Sequence, residues 1–276
     1  MIMKQYYPGN DALVFLSGQL DKDESVSSSH WKHFHRDFRL GADGTPEGFQ
    51  GFGGAARPYR GIRSIAHWIL QSPYRRLGRN FSSFERIHRA GQAIAAAQGR
   101  AYDLDILRQV LTVSFLTEQR LFTLPVESAV VIGDGFACMA TLLLATGFAK
   151  RVFLVNLTKT LIVDLVYFEK WARTTKAMQF AVATDKPGLV QAARSGFDLV
   201  GLQASNQNLI SALKAKVVIN IASMQEMNQE IIARYFKGMR AMKSIPAPYF
   251  YCCNRLEKKL PDGKLIRFVD YPWSPS

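Results

Sequence analysis

Two short runs in this chain combine residue types and spacing that could hold and transform a small molecule. The first is Gly133-Asp134-Gly135, placed after the apolar run Ser128-Ala129-Val130-Val131-Ile132 and before a stretch of helical character from Phe136 to Thr146. Glycines let the backbone turn sharply and come close to a ligand, and the helix that follows offers N–H groups without intrahelical partners. A tight turn with no ligand is the plainer alternative. The second run is Asn220-Ile221-Ala222-Ser223-Met224-Gln225-Glu226-Met227-Asn228, at the end of another apolar segment. Glu226 could act as a general base or orient an acceptor hydroxyl. It could equally be a carboxylate at a helix start, favoured there by the helix dipole. Gln225 and Asn220 could position a substrate or the polar end of a cofactor.

A dinucleotide site prefers Gly-x-Gly-x-x-Gly or Ala, and this chain has Cys138 at the last position, which weighs against a nicotinamide cofactor. The second strand of such folds normally ends in an acidic residue that grips ribose hydroxyls; here it ends in Asn156. An amide can accept one hydrogen bond and donate another, so one ribose contact survives while the two-acceptor grip is lost. Gln203 ends a later strand and is a further candidate for the cofactor. His30, His33 and His35 lie close together in Ser29-His30-Trp31-Lys32-His33-Phe34-His35. No nearby pair of carboxylates completes a metal site, so His30 is expected to line an acceptor pocket and no metal is expected. The glycine-rich stretch Gly48–Gly54 with Phe52, and the arginines from Arg57 to Arg79, could cap a cofactor or grip phosphate, or be a solvated basic face.

The elements that must position these residues sharpen after residue 100. Leu104, Leu107, Val110, Leu111 and Phe115 recur at helical spacing, with Asp103 at the helix start. Strands are expected at 128–132, 151–156, 179–183, 198–203, 216–222 and 249–253, with helices at 136–146, 158–173, 187–195 and 228–242 between them. Leu256–Phe268 reads as a hairpin around Pro261-Asp262-Gly263. This alternation predicts an α/β fold: a Rossmann-like, mostly parallel sheet with a C-terminal antiparallel hairpin and an antiparallel edge. Residues 1–100 predict a mainly helical and loop segment, with helices at 62–70 and 82–98, that shapes the acceptor side of a domain spanning 101–276.

Composition narrows the classes. The chain has 276 residues, 48% of them hydrophobic, which is ample for a packed core. No apolar run approaches the roughly 20 residues needed to span a bilayer. The N-terminal apolar run is too short for a secretory signal, so a soluble, cytoplasmic protein is expected. Three cysteines, two of them adjacent, make no disulfide framework. A net charge of +13 favours anionic partners of several kinds without choosing among them.

The C-terminal residues carry a resemblance. Val218-Ile219-Asn220-Ile221-Ala222-Ser223-Met224-Gln225-Glu226-Met227, then Tyr235-Phe236, Tyr251-Cys252-Cys253-Asn254 and Asp270-Tyr271-Pro272-Trp273, resemble the sugar O-methyltransferase family. The region of Ser29 and Trp31 and the run Gly51-Phe52-Gly53 are similar to its N-terminal part. The resemblance implies a class I methyltransferase fold, S-adenosylmethionine as cofactor and a sugar hydroxyl as acceptor. The resemblance assigns no base; it is the place of each residue in the α/β pattern that leads us to expect cofactor contacts from Gly133, Asp134, Gly135, Asn156, Gln203 and Asn220, with Glu226, Gln225 and His30 near the reacting hydroxyl. Two other classes stay open: an RNA-binding protein or RNA methyltransferase using the basic N-terminal region, and a non-catalytic fold used for assembly. No recognisable RNA-binding module supports the former.

Overall fold

The computed structural model describes residues 5–49, 57–175 and 178–274. The Gly51-Phe52-Gly53 run therefore lies outside the described residues. In chain order the N-terminal part comprises β1 (Tyr6–Pro8), α1 (Gly9–Ser17), α2 (Ser29–Phe34), the ribbon β2 (Arg39–Leu40) and β3 (Pro46–Glu47), then α3 (Ile62–Leu70), α4 (Ser72–Gly78) and α5 (Phe84–Ala97). There follow α6 (Leu104–Glu118), β4 (Ala129–Ile132), α7 (Cys138–Ala145), β5 (Val152–Asn156), α8 (Thr158–Ala172), β6 (Phe180–Ala183) and α9 (Lys186–Arg194). The chain then runs through β7 (Leu199–Gln203), a 3-10 segment at Ala204–Ala212, β8 (Val217–Ile221), a 3-10 turn at Met224–Glu226, α10 (Gln229–Arg240), β9 (Tyr249–Cys253), β10 (Glu257–Lys259) and β11 (Leu265–Arg267).

Seven strands form one sheet in the order β1-β6-β7-β5-β4-β8-β9. All neighbours pair in parallel except β1, which runs antiparallel to β6. The protein is thus α/β and Rossmann-like, as the alternating pattern predicts. The antiparallel edge differs from expectation. The C-terminal hairpin forms, but β10 and β11 make their own two-stranded ribbon, and the antiparallel edge strand comes from Tyr6–Pro8. A three-residue edge strand has no periodicity to read, which is why the sequence pattern hides it.

The core shows why these strands are apolar throughout. Successive side chains of a strand point to opposite faces, so Ala129 and Val131 pack with α1, α5, α6, α7 and α8, whereas Val130 and Ile132 pack with α9, α10, the 3-10 segment and Trp31 of α2. Each fully buried Val, Leu or Ile contributes about 1.5–3 kcal/mol, and both faces contribute. Asp103 Oδ1 accepts from Ile106 N at 3.0 Å and caps α6, matching its place in the pattern. Helix α7 starts at Cys138, two residues later than predicted, because Phe136 and Ala137 are left-handed, with φ of 61° and 48°.

Candidate active site

The carboxyl end of β4 leads into a tightly wound turn. Gly133, Gly135, Phe136 and Ala137 all have positive φ, a conformation that costs a residue with a Cβ about 1–2 kcal/mol. Such strain persists only where the surroundings over-determine it, and here they do. Both oxygens of Asp134 accept backbone N–H bonds, from Met139 at 2.9 Å and Ala140 at 2.7 Å, capping α7. Ala137 N donates to Asp164 Oδ1 at 2.8 Å. Gln98 Nε2 donates to Phe136 O at 3.0 Å, and the Arg100 guanidinium lies 3.7 Å over the Phe136 ring. A Cβ on Gly133 would lie 2.3 Å from Ser223 Oγ, so glycine lets this turn meet the one after β8.

That second turn is held by side-chain amides. Asn220 Nδ2 donates to Ile132 O at 2.8 Å and to Ser223 Oγ at 2.5 Å, while its Oδ1 accepts from Asn254 Nδ2 at 2.8 Å. Ser223 Oγ also donates to Ile132 O at 2.9 Å. Asn254 Oδ1 accepts from Gln225 N at 3.1 Å, and Gln225 Oε1 accepts from Arg255 N at 2.7 Å. Strands β4, β8 and β9 are thereby stitched together at their carboxyl ends.

Between the two turns lies a cavity of about 500 Å³, within the roughly 300–1,000 Å³ usual for small-molecule sites. It brings together Gly133, Asp134, Gly135, Asn156, Gln225, Glu226 and, from the N-terminal segment, His30. Glu226 is the hinge of its polar wall. Its Oε2 lies 3.4 Å from His30 Nε2, within charge-pairing distance but without hydrogen-bond geometry, and its Oε1 pairs with Lys258 of β10. Ser28 Oγ donates to Glu226 O at 2.5 Å, which ties the start of α2 to this turn. His30 is buried against Trp31 and Phe34, whereas His33 is exposed, so the two histidines do not share a site.

Two expected site residues are not in the cavity. Asn220 is fully buried in the amide lattice behind the wall. Gln203 is also fully buried, its Nε2 donating to Thr158 Oγ1 at 2.8 Å. Asn220 acts as an internal strut, its amide spent on nearby backbone and side chains, whereas Gln203 is tied through Nε2 alone and its buried Oε1 has no hydrogen-bond partner. Asn156 lines the cavity but is partly committed: Nδ2 donates to Asp164 Oδ2 at 2.8 Å and Oδ1 accepts from Leu157 N at 2.9 Å. One amide hydrogen and one lone pair remain on Asn156 for a ligand.

Sequence reasoning missed Arg100, Asp105, Arg108, Gln109, Arg255 and Lys258, all of which line the cavity. The first four sit on or just before α6, whose apolar spacing drew attention to its core face instead. Arg108 Nη2 pairs with Asp105 Oδ1 at 2.6 Å, while Arg108 Nε and Gln109 Oε1 are buried with no hydrogen-bond partner. Asp23 was missed as well: its carboxylate accepts from Thr158 N and Thr158 Oγ1, both at 2.5 Å, and from Ser205 N at 2.8 Å, seating the N-terminal loop on the start of α8. Among the described residues no three His, Cys, Asp or Glu side chains gather as a metal would require.

Burial shifts several groups. Asp134 is pushed up to about 7 by burial, against the opposing pull of the α7 amides and Arg100. Asp164 is also raised, by burial first and then by the neighbouring Asp134 charge. Burial raises Asp105 despite the Arg108 guanidinium. His35, whose Nε2 lies 3.2 Å from Thr160 Oγ1, is pushed down to about 4 by burial and then by Lys159 and His30. Comparison of the chain with protein-family models, with curated proteins and with solved structures gives no match.

Proposed function

We propose that this protein is an S-adenosylmethionine-dependent methyltransferase acting on a hydroxyl of a sugar or sugar-containing, anionic metabolite. The observation that carries this reading is the position of the cavity. In open α/β sheets, ligands bind beyond the carboxyl ends of the strands, where the strand order reverses. Here β5 lies on one side of β4 and β8 on the other, and the cavity opens between the turns that follow β4 and β8. The resemblance of the Asn220–Met227 run to sugar O-methyltransferases supports the same class.

The residues present fit the cofactor. Arg108 Nε and Gln109 Oε1 are a buried donor and a buried acceptor without partners, and leaving both unmet costs about 1–3 kcal/mol each. They suit the carboxylate and ammonium of an amino-acid moiety. The Gly133–Gly135 backbone can approach the sulfur-bearing end, and Asn156 retains one contact for a ribose hydroxyl. When bound, S-adenosylmethionine supplies a methyl group made electrophilic by its sulfonium. The chain's own part is to align the acceptor and move one proton. With the cofactor held in the cavity, its methyl group would pass to the acceptor oxygen, leaving S-adenosylhomocysteine, and the hydroxyl proton would go to the His30–Glu226 pair. Glu226 is held by Lys258 and by the Ser28 bond, so it presents a fixed carboxylate to His30. Gln225 gives its Oε1 to Arg255 N, which holds the turn, and its side chain lines the cavity. Alignment of this kind contributes about 7–11 kcal/mol to such reactions. Four cationic side chains, Arg100, Arg108, Arg255 and Lys258, face three carboxylates, Asp105, Asp134 and Glu226, and the excess supports an anionic acceptor.

Isothermal titration with S-adenosylmethionine and S-adenosylhomocysteine tests the proposal. Micromolar binding of both, weakened by Arg108→Ala, is the expected result. No heat with either would leave the cavity without its cofactor and favour a non-catalytic scaffold in which Asn156 is only a strut.

A further inference from the structure

A second feature of the molecule has no role in that site. From Gly48 to Phe84 the sequence contains six arginines (Arg57, Arg60, Arg63, Arg75, Arg76 and Arg79) and no carboxylate. Within it, α3 buries none of its residues. Ile62 is 86% exposed, Leu70 68%, Trp68 63% and Ile65 61%, and Ile69 is also exposed. At 100° per residue these side chains and Ala66 share one continuous arc, while Arg63, Ser64 and His67 occupy the other. Of the residues of α3 only His67, on the polar arc, is half-buried. The His67 ring stacks on Tyr59 at 3.9 Å, and the Arg63 guanidinium lies 4.8 Å from the same ring. The helix is therefore turned with its greasy side outward. Tyr74 and Leu77 of α4 extend the exposed apolar surface.

This arrangement is anchored. Gln71, between the two helices, is buried and donates from Nε2 to Tyr102 O at 3.1 Å. Gly78 at the end of α4 lies against the Phe84 ring. Arg75 donates from Nη2 to Trp68 O at 2.6 Å, with its guanidinium 4.5 Å from the Trp68 ring.

We propose that α3 and α4 dock this protein on an anionic lipid surface, with Ile62, Ile65, Trp68 and Ile69 entering the headgroup–acyl boundary and the arginines meeting the acidic headgroups. An amphipathic helix with a tryptophan on its apolar side, flanked by arginines before it and in and after the next helix, has the composition of an interfacial segment. Charge selects this occupant. A second copy of the chain would bring six arginines against six with no carboxylate between them. A nucleic acid would satisfy the arginines but leave the isoleucine arc in water. No helix among the described residues is long and apolar enough to cross a membrane, so the mode is surface binding. The proposal does not depend on the methyltransferase reading.

Vesicle co-sedimentation of the full chain tests it. Vesicles of phosphatidylcholine with about 30% phosphatidylserine should bind it at least about ten-fold more tightly than phosphatidylcholine alone, and raising salt from about 0.1 M to about 0.5 M should weaken that binding by a similar factor. Ile65→Glu and Ile69→Glu lie on exposed positions, so the unfolding midpoint should hold while vesicle binding falls about ten-fold or more. Three results would overturn the proposal: no preference for anionic vesicles, vesicle binding that Ile65→Glu leaves intact, or an apolar face consumed by self-association that Ile65→Glu dissolves without lipid present. Salt-sensitive RNA binding in place of vesicle binding would also overturn it and return the arginines to nucleic acid.

Discussion

The turns after β4 and β8 face one another across the cavity, yet they are held by different means. The β4 turn is a wound backbone with four left-handed residues, braced by two buried carboxylates, Asp134 and Asp164. The β8 turn has a single left-handed residue, Ala222, and is braced by neutral amides, Asn220, Asn254 and Gln225. The difference assigns their tasks. A wall of backbone can approach a ligand closely, whereas a wall of interlocked amides fixes one projecting side chain, Glu226. It also separates their response to pH: loss of a proton from the buried carboxyls loosens the β4 turn, whereas the amides that lock the β8 turn do not titrate.

The sharpest way to break the comparison is to remove the centre of the lattice. Asn220→Ala would strand Met224 N, leave Asn254 Nδ2 with Cys252 Sγ alone, and weaken the tie to Ile132 O. At about 1–3 kcal/mol for each buried group left unmet, the expected loss is about 4 kcal/mol in urea unfolding. A loss under about 1 kcal/mol would mean that Ser223 alone holds the two turns. Next comes Gly133→Ala, for which we expect about 3 kcal/mol from the left-handed backbone and the overlap with Ser223. Adding Ser223→Gly removes the overlap but not the backbone strain, so the double variant should recover part of the loss. Full additivity of the two substitutions would show that the turns do not touch.

The contrast also separates what the sequence reveals from what it hides. The apolar runs AVVI, VFLVN, FAVA and VVINI read directly as buried strands, because a strand covered on both faces has no polar alternative. The glycine turn and the Asn220–Asn228 run were legible as neighbours at one edge of the sheet, because both follow strand ends, and the structure brings residues of both to one cavity. Their roles were not legible. Asn220 resembles a ligand contact in sequence but spends its amide on neighbours brought close by folding, and Gln203 gives its Nε2 to Thr158 outside the cavity. Asp23 bonds Thr158, and Gln98 bonds Phe136 and Tyr167, across separations no local pattern encodes. Lys258 looks like an ordinary ribbon charge until the hairpin folds over Glu226.

A smaller effect on stability, and a large one on turnover, is expected at that ion pair. With a methyl acceptor in hand, Glu226→Gln should lower kcat about 100-fold, within the range for general acid–base groups. Affinity for S-adenosylmethionine should stay within about two-fold, since Glu226 belongs to the wall opposite Gly133–Gly135. Lys258→Met should lower kcat less, because it removes only the group that orients the carboxylate. A Glu226→Gln enzyme with unchanged kcat would remove this residue from the mechanism and leave it as a helix-start carboxylate.

The smallest expected effect tests the confinement of titration to the β4 side. Asp134 has its pKa raised from 3.8 to about 7 in the folded protein, so the folded state holds a proton that the unfolded state has released between those values. Stability from this group is present below pH 3.8 and is lost as pH rises through about 7. Asp164, raised as well, adds to that fall. His35 runs the other way: lowered from 6.5 to about 4, it stays neutral in the fold while the unfolded chain protonates, so its contribution is present above 6.5 and lost as pH falls through about 4. The Asp134 and His35 slopes oppose each other across nearly the same window, so the decline of the parent protein with rising pH is set largely by Asp164. Asp134→Asn should turn that decline flat or upward, and His35→Phe should steepen it, in urea unfolding measured at successive pH values. Identical slopes for the parent and Asp134→Asn would place the titrating proton elsewhere and remove the distinction between the carboxylate-braced and amide-braced walls.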